Sequence, residues 1–144
     1  MDTAAQKEVA VKPAKPVPHA NELSQPYWDG LTIGVLSLQC CVACGKFRHY
    51  PRLICDQCYS LEVKQVAASG RGVIHSWTVA HHPFHPGFAE DLPYVLAVVD
   101  LDEGVRAMGR LHHVAADEIR LGLPVQFVPE KRDDGITLPT FVPR

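Results

Sequence analysis

Residues 40–58, CCVACGKFRHYPRLICDQC, contain all five cysteines of a 144-residue chain. Two Cys-x2-Cys pairs, Cys41/Cys44 and Cys55/Cys58, are separated by ten residues. A two-residue gap lets both sulfurs of a pair turn toward one ion while the loop amides approach them, and two pairs complete a tetrahedral thiolate shell. Such a shell is closed, with no position left for water or substrate, so a structural zinc on Cys41, Cys44, Cys55 and Cys58 is expected rather than a catalytic one. Ligand type alone does not separate zinc from iron, because four thiolates also hold iron in rubredoxin-like sites. Cys40 offers a second pairing, with Cys44; the two-residue spacing favours Cys41, and Cys40 reads as a small buried residue.

Between the pairs, Lys46, Arg48, His49 and Arg52 interleave with Phe47 and Tyr50. Guanidinium forks suit phosphate, and the rings suit a purine or acyl surface. The same alternation fits single-stranded nucleic acid, or simply a solvated basic face. Charge distribution sets this stretch apart. Residues 40–72 carry five bases against Asp56 and Glu62, whereas residues 73–144 carry ten acids against six bases. The net charge of −2 argues against a protein that coats nucleic acid non-specifically. His81, His82 and His85 fall in a Pro/Gly-rich loop and His112-His113 at a strand end, with no carboxylate spaced as in helical zinc motifs, so they are read without metal. There is no serine elbow, phosphate-cradling glycine loop or carboxylate pair, and a self-contained enzyme is not expected.

These residues need elements to position them. Residues 1–20 mix Ala, Lys, Pro and Val without period and are expected to form a flexible tail. From Ser24, a possible cap followed by Pro26, the residues Tyr27, Trp28, Leu31, Val35 and Leu38 fall on one helical stripe, which predicts a helical segment within 21–38, weakened by Gly30 and Gly34. The cysteine cassette, 39–68, follows. Strand-like patterns then occupy 72–80 and 94–111, the latter broken by a turn at Asp102-Glu103-Gly104. Residues 115–122 read as one or two helical turns, and 123–130 and 135–143 as two more strands. Five strands with a short helix between the third and fourth match the Greek-key barrel called the OB-fold, here over 69–144. The expected class is mainly β: an N-terminal helix, a rubredoxin-like zinc ribbon and a C-terminal five-stranded barrel. No apolar run approaches the ~18 residues of a membrane helix, and the first residues lack a signal peptide's apolar centre, so a soluble cytoplasmic protein is expected, with thiols reduced.

The ordered series PYWDGL, GVLSLQCCVACGKFRHYPRLICDQC, SGRGVIHSWTV, PYVLAVVDLDEGVRAMGRL, GLPVQF and LPTFVP, running from about Ser24 to the C-terminus, resembles the bacterial and archaeal zinc-ribbon/OB-fold proteins known as domain-of-unknown-function family 35. Members accompany acetoacetyl-CoA thiolase and hydroxymethylglutaryl-CoA synthase, steroid side-chain aldolases, acyltransferases making phloroglucinols, and the thiolase that cleaves benzoylsuccinyl-CoA; the chain is similar to stand-alone members of that last kind. The resemblance implies a non-catalytic accessory subunit that binds a thiolase-like partner and helps hold an acyl-CoA thioester. The family's ribbon cysteines fall on Cys41, Cys44, Cys55 and Cys58, and Cys40 stands where relatives usually have a polar or basic residue. In this reading Lys46, Arg48 and Arg52 face the CoA phosphates, and Tyr27 and Trp28 are candidate docking anchors, with core packing as the competing role for Trp28. The rival readings are a single-stranded nucleic-acid-binding ribbon/OB module and, last, a rubredoxin-like electron carrier.

Overall fold

A computed structural model of the chain describes residues 11–144. It opens with an extended segment and one helix, α1 (Gln25–Thr32), followed by a small antiparallel sheet of β1 (Ser37–Cys41), β2 (Phe47–Arg48) and β3 (Val63–Ala67) in the order β2-β1-β3. The remaining strands, β4 (Arg71–Ala80), β5 (Tyr94–Leu101), β6 (Arg106–Leu111), β7 (Pro124–Lys131) and β8 (Thr137–Pro143), close into a barrel in the order β4-β5-β6-β8-β7. Every barrel pairing is antiparallel except β6 with β8, the parallel contact that a Greek-key closure requires. The five expected barrel strands are present, and the ribbon gains β3, which no sequence pattern announced. No helix among the described residues is long and apolar enough to cross a membrane.

The helix is shorter than its apolar stripe. It stops at Thr32, and the chain reverses through Gly34, whose φ is +80°. The amide of Val35 donates to the Gly30 carbonyl at 2.8 Å, and a side chain at Gly30 would collide with Val35 O and the Ser37 Cβ. The two glycines therefore permit a tight return that a longer helix would forbid. Leu36 and Leu38 end up on the returning chain, fully buried, rather than on the helix.

Residues 115–122 are turns, not a helix. The amide of Glu118 bonds Ala115 O and that of Leu123 bonds Arg120 O, while Gly122 N and Leu123 O bond the backbone of Ile74 on β4. The barrel thus competes for the backbone groups at the end of the would-be helix, and Ile119 is the one buried side chain of the segment. A single apolar anchor does not hold so short a helix against that competition.

The expectation of a tail at 1–20 lies outside the described residues for 1–10. Residues 11–20 have no regular structure but do not hang free. Lys12 pairs with Glu90, both Asp91 carboxylate oxygens accept from Lys15 at 2.8 Å, and Arg132 donates to Pro16 O at 3.3 Å. The segment crosses the short 3-10 helix at Pro86–Asp91, and a Cβ at Gly87 would come within 3.0 Å of the Lys15 Cα.

One core serves all parts. Leu31 of α1, Leu36 and Leu38 at the entrance to the ribbon, and Ile74, Ala97, Val99, Val125 and Phe141 of the barrel belong to one buried cluster. The ribbon is therefore seated on the barrel by shared apolar packing. The barrel closes over Gly109: a Cβ there would sit 2.6 Å from Pro139 O and 3.1 Å from the Phe141 ring. Gly109→Ala is expected to destabilise by about 2 kcal/mol through overpacking, lowering Tm by roughly 5 °C, whereas Gly122→Ala meets no neighbouring atom and reports only backbone strain. Thermal unfolding of both variants checks this.

Candidate functional site

Two loops of the same design carry the cysteines. In the first, Gly45 N donates to Cys41 O at 2.9 Å and Cys41 N to Lys46 O at 2.9 Å; in the second, Tyr59 N donates to Cys55 O and Cys55 N to Ser60 O, both at 3.0 Å. The residue after each pair occupies the left-handed region, Gly45 at φ +75° and Tyr59 at φ +60°. Tyr59 accepts there a conformation that glycine adopts without cost, so the turn is imposed on it by the loop.

The four sulfurs face one point. Cys41 and Cys58 Sγ are 3.6 Å apart, Cys44 and Cys55 Sγ 3.7 Å, and all four lie within 4.8 Å of one another. A zinc–sulfur bond of about 2.3 Å in a tetrahedron sets sulfurs about 3.8 Å apart. The donor set and spacing fit zinc. Backbone amides prepare the site: the Cys58 amide, then that of Gln57, draws the Cys55 thiol down to about 6, and the Cys44 amide lowers Cys41. The Lys46 amide acts to lower Cys44, yet desolvation and the surrounding sulfurs carry that thiol up to about 12. Four crowded thiols cannot all ionise alone, and a divalent cation relieves that repulsion. Cys40 stays outside the shell, its sulfur directed at Gly45 O at 3.4 Å, as a small buried residue.

The loop between the pairs faces the barrel. Lys46, Phe47, Arg48, His49, Arg52 and Asp56 of the ribbon, with Asp100, Gly104, Val105 and Arg106 of the β5–β6 hairpin, line a cleft of about 370 Å³. All three bases singled out by sequence thus meet in one place. Lys46 reaches Asp56 at 2.8 Å, and Arg106 Nε donates to Asp100 Oδ1 at 2.8 Å, with His75 Nδ1 2.9 Å from the other Asp100 oxygen. Those contacts, led by Arg106, hold Asp100 below its usual range. Arg48 is only 4% exposed, and none of its three guanidinium nitrogens has a partner among the described residues. The buried Gln39 fixes the loop by accepting from the Arg52 amide at 2.9 Å.

His49, next in sequence, is packed against Tyr27 and Tyr50, with ring centroids 5.0 and 4.2 Å away, and its buried Nε2 has no partner among the described residues. Desolvation drops its pKa to about 4, and burial pushes the Tyr27 phenol up. Tyr27 is 5% exposed and belongs to the core, which corrects its reading as a docking anchor; the apolar stripe that suggested it is the face turned inward. Trp28 is half-buried against the same core and lines a cavity of about 120 Å³ with Pro18, Thr32 and Ile136. Exposed apolar side chains such as Ile33, Phe84 and Leu121 are scattered, while several others lie around the metal loops, at Val42, Leu53, Ile54, Tyr59 and Leu61. Sequence reading passed over them because a knuckle gives them no period; their spacing around the cysteines was the available signal.

The family model described as the ChsH2 rubredoxin-like zinc ribbon domain matches residues 28–63, and that described as the ChsH2 C-terminal OB-fold domain matches residues 65–129. A DUF35 domain-containing scaffold protein of Methanothermobacter thermautotrophicus is 34% identical over 97 residues, 66% of this chain and 72% of that protein. The chain belongs to the DUF35 family. A probable enoyl-CoA hydratase alpha subunit of Thermomonospora curvata is 38% identical over 138 residues, 96% of this DUF35 chain but 43% of the relative's length. This chain thus spans less than half of that hydratase subunit. Among solved structures, the Ltp2-ChsH2(DUF35) aldolase superposes with a TM-score of 0.81 at 38% identity, covering 88% of this chain and 98% of that one.

Two outcomes follow from the site. Metal analysis of the purified DUF35 chain is expected to find about one zinc; Cys41→Ser or Cys55→Ser drops it below about a tenth, while Cys40→Ser leaves it unchanged. For His49, the folded-state pKa of about 4 lies below the ordinary 6.5. Between those values the unfolded state binds the extra proton, so stability falls as pH drops from 6.5 to 4 and is fully present above 6.5. The loss is on the order of 2 kcal/mol, and His49→Phe flattens this acid limb in denaturant titrations.

Proposed function

We propose that this DUF35 chain is the non-catalytic accessory subunit of a complex that makes or breaks a carbon–carbon bond in an acyl-CoA, that it docks on a thiolase-like catalytic partner, and that the cleft between ribbon and barrel receives part of the CoA. The observation that carries the reading is the convergence of Lys46, Arg48 and Arg52 on one cleft, with a buried guanidinium that has no acceptor among the described residues. A CoA carries three phosphoryl groups, and a buried cation without a partner is stabilised when a ligand brings the counter-charge.

The names of the relatives support the coarser part of this reading, a subunit of an acyl-CoA-processing complex. One is a probable enoyl-CoA hydratase subunit, one a scaffold protein and one part of an aldolase. In this reading the partner contributes nucleophile and base, and the DUF35 chain contributes zinc-braced shape. The exposed Val42, Leu53, Ile54, Tyr59 and Leu61 form the docking surface, because apolar and aromatic side chains dominate interface energetics.

The test is capture of the native complex on the untagged chain, followed by identification of the co-purifying protein and an assay of acyl-CoA cleavage. The expected result is a stoichiometric thiolase-like partner whose activity falls when this chain is removed. Leu53→Asp with Leu61→Asp is expected to reduce partner recovery about tenfold or more with zinc content unchanged. Acceleration of acyl-CoA cleavage by the chain alone overturns the non-catalytic role. Recovery of nucleic acid in place of a protein partner overturns the whole reading.

A further inference from the structure

The charges lining the cleft are unevenly partnered. Of its four cations, Lys46 is held by Asp56 and Arg106 by Asp100. Arg48 and Arg52 remain: the buried Arg48 guanidinium has no acceptor among the described residues, and the exposed Arg52, whose charge is felt by Asp56, leaves its guanidinium facing solvent. The cleft therefore is lined by four cations and two carboxylates, with Arg48 and Arg52 both on the stretch between the cysteine pairs. The Arg48 fork is nearly sealed from water, so the field it exerts there is weakly screened.

That arrangement matches one kind of anion better than the others CoA offers. A phosphate monoester is close to a dianion at neutral pH and gathers its charge on three oxygens of one phosphorus, which two guanidinium forks can bind together. A pyrophosphate diester spreads its charge along a chain and is usually met by successive backbone amides at a glycine-rich turn and helix N-terminus. The cleft offers neither: Gly104 is its single glycine, and its walls are strand ends and the loop between the cysteine pairs. Phe47 supplies an apolar wall for the attached sugar or base.

We infer that the cleft is a receptor for a phosphate monoester dianion, the 3′-phosphate of CoA, and that Arg48 and Arg52 select CoA thioesters over those carried on phosphopantetheine groups lacking this phosphate. Lys46 and Arg106 stay with their carboxylates and shape the walls. The inference rests on the CoA reading above and names the part of CoA that the cleft recognises.

Calorimetric titration of the full zinc-loaded chain with CoA, 3′-dephospho-CoA and adenosine 3′,5′-bisphosphate tests it. The expected result is that CoA and the bisphosphate bind, that dephospho-CoA binds about tenfold or more weakly, and that inorganic phosphate competes. Arg52→Gln, at an exposed position, is expected to shrink the preference severalfold. Arg48→Gln is expected to abolish it while leaving the free chain at least as stable as the parent, which a purely structural arginine would not do. Equal binding of CoA and dephospho-CoA overturns the 3′-phosphate receptor and leaves the CoA reading standing. Failure of all three compounds to bind removes both.

Discussion

Four thiolates around one ion are the constraint on which the rest of the ribbon depends. The stretch between the two cysteine pairs has only the two-residue strand β2 as regular structure, and several of its side chains are charged. Such a loop cannot bury enough apolar surface to fix its own shape. Anchoring both ends on zinc replaces a small core with a covalent-strength cross-link, and the unfavourable turn at Tyr59 shows that the metal loop dictates backbone geometry to its sequence. Without that anchor Lys46, Arg48 and Arg52 are a basic segment; with it they are a surface of defined form.

A defined ribbon makes a site only if it is held against the barrel. That connection runs through the reversal at Gly30 and Gly34, which places Leu36 and Leu38 beneath α1 and in the same cluster as Ile74, Val99 and Phe141. The β5–β6 hairpin then brings Asp100 and Arg106 opposite the basic loop. Two modules that could each exist in other settings thereby share a core and a cleft. The chemistry of the cleft belongs to neither module alone, and this is also why an orphaned cation at Arg48 persists: packing from both sides encloses it.

What could be read in the sequence was what is local. Cysteine spacing reports ligand geometry directly, because two residues between thiols is a property of a single turn. Strands β4 to β8 were legible from β-branched runs and from the turn at Asp102-Glu103-Gly104. Helix length was not, because the glycines act through a close approach to Val35 and Ser37 that no helical stripe encodes. The turns at 115–122 escape a local pattern for a similar reason, since the Gly122 amide donates to Ile74 O and the Leu123 carbonyl accepts from Ile74 N, more than forty residues earlier. Residue types identified Lys46, Arg48 and Arg52 as a set, but not that Arg48 is buried or that Arg106 completes the cleft, because those facts join segments fifty residues apart. Tyr27 failed for a simpler cause: an amphipathic face tells which residues seek cover, not whether the cover is the chain's own core.

The segment laid across the 3-10 helix has a bearing on the order in which the molecule assembles. Lys15 and Pro16 are synthesised before their partners Asp91 and Arg132, which lie 76 and 116 residues further along. During synthesis the strap therefore waits while ribbon and barrel are completed, and it is among the last pieces to settle. Its docking closes over Gly87 only after the barrel hairpins exist, so residues 12–16 act as a late clasp on a fold already formed beneath them.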